Sequence, residues 1–119
     1  MIGMSYRKLK IWQRAMDITD YIYTLTDNFP KNEQYGLCSQ MRRCAVSIPS
    51  NIAEGSQRTS HREFAHFILI AKGSLAELET QLLITVRRKY TPTETGNKIL
   101  KELDELSRMM HSFRERLCE

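Results

Sequence analysis

The chain is short of backbone punctuation. Its 119 residues include five glycines and three prolines, too few for the turns of a many-stranded sheet. The three cysteines, Cys38, Cys44 and Cys118, are odd in number and none lies in a C-x-x-C pair. A disulfide framework is therefore not expected, and small buried hydrophobes in a reducing compartment are. No apolar run approaches the roughly 18 residues of a membrane span. The first ten residues lack the apolar core of a secretory leader, so a cytoplasmic protein with no membrane partner is expected. Charge of one sign is also in modest supply. A formal net charge of +4 permits contact with nucleic acid without demanding it.

What the chain has is helical periodicity. Leu9, Trp12, Met16, Thr19, Tyr23 and Thr26 recur at helical spacing, widened by Ala15, Ile18, Ile22 and Leu25 and backed by Gln13, Arg14, Asp17 and Asp20. Pro30 should end this helix, because the residue before a proline is pushed out of the α region. A second stripe reads Leu37, Met41, Cys44, Ala45, Ile48 and Ile52, behind Asn32 as N-cap. Pro49 lies on that stripe and removes the amide that would bond back to Ala45, so a kink or a break before Ser50 is predicted, with Gly55 as the C′ residue. Ser60 and Glu63 form a capping box. From there Phe64, Ile68, Ala71, Leu75, Leu78, Leu82 and Thr85 make a heptad seam, flanked by Phe67, Ile70 and Leu83. Arg87, Arg88 and Lys89 close this helix, while Gly73 between Ala71 and Ala76 is expected to admit a close helix approach. Thr91 as N-cap, Pro92 and Glu94 then start the last helix, striped by Ile99, Leu103, Leu106, Met110, Phe113 and Leu117. The predicted fold is all-α: one domain over 1–119, an antiparallel up-down-up-down four-helix bundle with helices at about 9–27, 32–54, 60–89 and 92–117.

Residues 40–55 read QMRRCAVSIPSNIAEG and residues 71–79 read AKGSLAELE. With Arg58, Phe64, the opening LKIW of residues 9–12 and Phe29-Pro30, the chain resembles the bacterial four helix bundle proteins encoded within intervening sequences of 23S ribosomal RNA genes. The resemblance spans nearly the whole chain and departs from the usual pattern at Lys72, where arginine is commoner. It implies a homopentamer without catalytic activity. It also implies a distant similarity to the accessory protein of diversity-generating retroelements, which binds a reverse transcriptase and nucleic acid.

Residue chemistry agrees with a non-enzyme. Glu63 and His66 fit the Glu-x-x-His of di-iron bundles, but that chemistry needs a second copy and two more inward glutamates. His111 has Arg108 three residues before it, and Glu63 is engaged by the cap. Ser47, Ser50 and Ser74 have no histidine within plausible reach, His61 and His66 are off a common face, and no glycine-rich phosphate loop exists. No catalytic residue, metal or cofactor is expected. Arg43 and Glu77 are predicted to pair between the second and third helices and set their register, a role such pairs fill better than adding stability. Pro49, Asn51, Glu54 and Gly55 are expected to shape the turn between those helices.

Antiparallel topology gathers Arg7, Lys8, Lys10, Arg58, Arg62, Arg114 and Arg116 at one pole, against Glu54, Glu63, Glu115 and Glu119. An excess of positive charge there could track phosphates through counterion release without reading bases. The expected function is thus a non-enzymatic, self-associating bundle that contacts RNA or DNA through this pole, alongside a protein partner or alone. The competing expectation is a purely protein-binding scaffold, whose pole is only a solvated, mixed-charge end.

Overall fold

The computed structural model describes residues 5–119; residues 1–4, where the expected domain begins, lie outside the described residues. A 3-10 turn at Tyr6–Lys8 precedes α1 (Lys10–Thr26). A 3-10 turn at Lys31–Glu33 and a π turn at Gln34–Cys38 lead into α2 (Ser39–Ser56), followed by α3 (His61–Arg87) and α4 (Thr93–Leu117). Each helix packs on its two neighbours around a ring, with α4 closing back on α1. Contacts run in opposite senses along every neighbouring pair. Thr19 meets Ala45 where Thr26 meets Arg42. Gly55 faces Phe64 and Phe67 where Cys44 faces Ser74. Phe64 packs edge-to-face on Phe113 at one end of α3, while Val86 touches Gly96 at the other. The result is the up-down-up-down bundle, whose 44 Å long axis matches the roughly 40 Å of the 27-residue α3.

The core follows the predicted stripes on three helices. All seven seam residues of α3 are buried, as are Met41, Cys44, Ala45, Ile48 and Ile52 of α2 and Ile99, Leu103, Leu106 and Met110 of α4. On α1 the stripe is rotated. Ile11, Ala15, Ile18, Ile22 and Thr26 face the core, while Met16 and Tyr23 are exposed. The amphipathic band of α1 is broad, and its branched aliphatics, not its aromatic and sulfur edge, find the close-packed interior. Cys118 is exposed, unlike Cys38 and Cys44, because it follows the last turn of α4.

The second helix departs most from expectation. Asn32 caps nothing; the chain bends instead at Gly36 (φ −107, ψ −111), and α2 begins at Ser39. Glu33 organises the bend, its Oε1 accepting the Leu37 N–H and its Oε2 the Tyr90 hydroxyl. A Cβ on Gly36 would lie 2.8 Å from that Oε1. Pro49 neither breaks nor ends α2, which runs to Ser56. The carbonyl orphaned by the proline, that of Ala45, is met from α1 by the Thr19 hydroxyl at 3.3 Å, a proton shared with Ala15 O at 2.8 Å. Gly55 is not a C′ residue either. It lies inside α2, where a Cβ would come within 2.6 Å of Phe67 Cβ and 2.9 Å of Phe64.

The caps show the same local rules with different partners. Ser60 Oγ accepts the Glu63 N–H at 3.1 Å, half of the predicted box. Thr91 does not cap α4, because its hydroxyl turns inward to pair with Thr85 Oγ1 at 2.9 Å. Lys89 ends α3 at φ 63, with the Tyr90 N–H bonded to Thr85 O and its own N–H to Val86 O. That is a Schellman closure with lysine in the glycine position.

Candidate nucleic-acid interface

Topology delivers the start of α1, the end of α2, the start of α3 and the end of α4 to one pole. There the last turn of α4 divides the basic residues between two grooves. On the α3 side, Arg62 and Arg114 line a groove with His66 and Cys118. On the α1 side, Lys8, Lys10 and Arg116 line another, with Arg108. Arg114 is half-buried and its Nε donates to Ala65 O at 3.3 Å, which holds the guanidinium over the first turns of α3. Arg116 lies 5.8 Å from the Phe113 ring, whose other contact is Phe64. A backbone carbonyl of α3 thus directs Arg114, and a core aromatic directs Arg116.

The remaining two residues stand apart. Arg58 shares a third groove with Arg62. Its charge is already engaged by Glu54 at 2.9 Å, and it stacks over Phe67 at 4.8 Å. Arg7 lies over the Tyr6 ring at 5.9 Å and lines neither groove flanking α4. Arg108, absent from the sequence-based set, belongs spatially to the α1-side groove, though it pairs with Asp104. The signal was its spacing of eight from Arg116, two turns along one face of α4. Glu63 and His66 are both exposed at the start of α3, with His66 on the grooves.

The predicted Arg43–Glu77 pair is not made. Arg43 is exposed and makes no ion pair among the described residues, and Glu77 accepts instead from Gln81 Nε2 of its own helix at 3.4 Å. The arginine beside it is the one engaged between helices. Arg42 Nε donates to Thr26 Oγ1 at 2.8 Å and its Nη2 to Asp27 at 2.7 Å. Between the neighbouring α1 and α4, Arg14 pairs with Glu102 and Glu105 at 3.1 and 2.7 Å. Bonding to Glu105 raises the Arg14 pKa, and bonding to Arg14 holds the Glu105 carboxyl below its ordinary value. Burial, then the nearby Glu77 carboxylate, pushes the Cys44 thiol up to about 11, which leaves it an inert core residue.

The four residues assigned to the turn lie one step earlier. Asn51 Nδ2 donates to Ser47 O at 2.8 Å within α2, Glu54 holds Arg58, Gly55 admits Phe64 and Phe67, and Pro49 packs in the core. The turn itself is residues 57–60.

Comparison with known proteins places this geometry. No curated protein matches the chain. A solved structure from Bacteroides thetaiotaomicron, a protein of unknown function from the S23 ribosomal protein family, is similar at 25% identity with a TM-score of 0.79. The match covers 87% of this chain and 97% of that one. The family model of the 23S rRNA-intervening sequence proteins matches residues 7–112. The chain belongs to the 23S rRNA-intervening sequence protein family.

Proposed function

We propose that this is a non-enzymatic bundle that associates with itself and contacts the phosphates of RNA or DNA through its basic pole. The observation that carries the reading is the pair of grooves flanking the last turn of α4, lined by Arg62 and Arg114 on one side and Lys8, Lys10 and Arg116 on the other. They are shallow and exposed, without a buried titratable cluster, and so fit backbone contact, not base readout. The family name places the genes of its members beside ribosomal RNA and supports the same direction. Self-association draws on the outward side of α3, where Leu69, Ile70, Leu83 and Ile84 are all more than two-fifths exposed. A ring of copies would multiply the charge of the pole. A cytoplasmic setting follows from the same reading.

Filter binding against ribosomal RNA fragments tests it. Five phosphate contacts per subunit give a log–log salt slope of about −3.5 to −4.5, and the double variant Arg62→Glu/Arg114→Glu lowers its magnitude. No retention at low salt, or retention indifferent to salt, overturns the proposal. A second reading, a scaffold for a protein partner, is favoured by the same outward face of α3. Under it, charge reversal at Arg58 and Arg62 leaves function intact while changes at Leu69 or Leu83 abolish it.

A further inference from the structure

At the opposite pole, the bend between α1 and α2 builds a feature that the basic-pole reading does not use. A cleft of about 650 Å³ opens between the end of α1 and the start of α2, lined by Tyr23, Lys31, Gln34, Tyr35, Arg42 and Arg43. Its floor is rigid. Glu33 is tied to the Leu37 amide and to the Tyr90 hydroxyl of the α3–α4 connection, and Tyr90 in turn packs on Phe29 with ring centroids 5.7 Å apart. The braced turn carries Tyr35, which is 90% exposed. A tyrosine held out on an anchored turn contributes little to this chain's own core.

The charge around it is preorganised. Arg42 is fixed by Thr26 and Asp27 and lies 4.8 Å from the centroid of the Tyr23 ring. Those bonds use Nε and Nη2, so both N–H groups of Nη1 are without an acceptor among the described residues. Arg43 and Lys31 also line the cleft and make no ion pair among the described residues. Among the lining residues one carboxylate, Asp27, stands against these three cations and already pairs with Arg42, and Glu33 of the adjoining turn is a second acid nearby. An open cleft with excess positive charge, spare guanidinium donors and one free aromatic face fits a flat ring joined to a phosphate that continues in both directions. Stacking on a single aromatic is sequence-tolerant, because every base has a π-face.

We infer that this cleft is a contact site for single-stranded nucleic acid, with a base stacked on Tyr35 and the adjoining phosphate held by Arg42, Arg43 and Lys31. The site goes beyond the phosphate tracking proposed for the basic pole and does not depend on it. Anisotropy titrations of the full-length protein with a fluorescein-labelled 12-nucleotide single strand, and with the matching duplex, test it across salt concentrations. Tyr35→Ala weakens the single strand by about five- to a hundredfold, leaves the duplex unaffected and keeps the salt slope, while Tyr35→Phe behaves as wild type. Arg43→Ala lowers the magnitude of the slope by about one. Tyr35 is too exposed to carry the fold, and circular dichroism of each variant checks that it is folded. Arg62→Glu/Arg114→Glu separates the two ideas: if it abolishes duplex binding but spares Tyr35-dependent binding of the strand, both stand, and if it changes nothing while Tyr35→Ala does, only the cleft stands. Wild-type affinity in Tyr35→Ala, or failure of the single strand to bind, overturns the inference. So does Tyr35-dependent binding of a phosphotyrosine peptide by a protein that ignores the strand.

Discussion

The two faces of α3 carry the same arithmetic and meet opposite fates. Inward, Phe64, Ile68, Ala71, Leu75, Leu78, Leu82 and Thr85 step by four and three into the core, and every one is buried. Outward, Leu69, Gly73, Ala76, Thr80 and Leu83 step by four and three as well, with Ile70 and Ile84 beside them, and all are exposed. A heptad states that a helix wants a partner along that line. It does not state whether the partner belongs to the same chain. In α3 one seam is filled by α2 and α4, and the other is exposed.

The sharpest test of that difference is one leucine from each face. Leu78 is fully buried, so Leu78→Ala should cost about 2–5 kcal/mol through lost burial and a residual cavity. Urea unfolding should register that loss at every protein concentration. Leu83→Glu should leave dilute protein folded with near-unchanged stability, and should lower the sedimentation coefficient at higher concentration. A loss from Leu83→Glu as large as that from Leu78→Ala in dilute solution would place Leu83 in the core and end the comparison.

A smaller effect separates the glycines. Gly55 abuts the inward side of α3, where a Cβ would meet the Cβ of Phe67 and the ring of Phe64. A neighbouring Cβ is fixed to its backbone and cannot swing away, so the clash outweighs the gain in helix propensity. Gly55→Ala should lose about 1–2 kcal/mol net, read as a fall in the urea midpoint without a change in slope. A stabilised Gly55→Ala would mean that α2 and α3 can separate there at no cost.

Much of the fold was legible because periodicity is a one-chain signal. The stripes of α2, α3 and α4 named their core residues directly, and the ring order followed from short connections. What stayed hidden was each feature whose partner lies on another helix. Pro49 reads as a break until Thr19, 30 positions earlier on α1, is seen reaching Ala45 O. Gly36 reads as an ordinary early-helix glycine until Glu33 and Tyr90 are seen bracing the turn. The Arg43–Glu77 pairing followed from antiparallel register alone, whereas side-chain direction decides which arginine turns inward, and that is Arg42. At the basic pole the antiparallel topology brings the expected helix ends together. What topology alone does not show is that α4 splits those residues into two grooves, whereas the Glu54–Arg58 pair was available as an i,i+4 spacing and went unused.

The smallest expected effect bears on the outward seam alone. Gly73 lies in the middle of α3, and among the described residues nothing beyond its own helical turns comes within 4 Å of where a Cβ would stand, so packing within the chain gives no reason for glycine there. Replacing it with alanine removes backbone freedom from the unfolded chain and should stabilise dilute protein by up to about 1 kcal/mol. Small residues at Gly73, Ala76 and Thr80 would, however, let a second helix approach closely along the outward seam, and an added methyl would then meet that helix. Gly73→Ala is therefore expected to raise the urea midpoint at low concentration and to weaken self-association in sedimentation velocity at high concentration. Stabilisation with association intact would assign the glycine no role at the contact. Destabilisation of the dilute chain would show that the outward face is already packed, and the two faces of α3 would no longer differ.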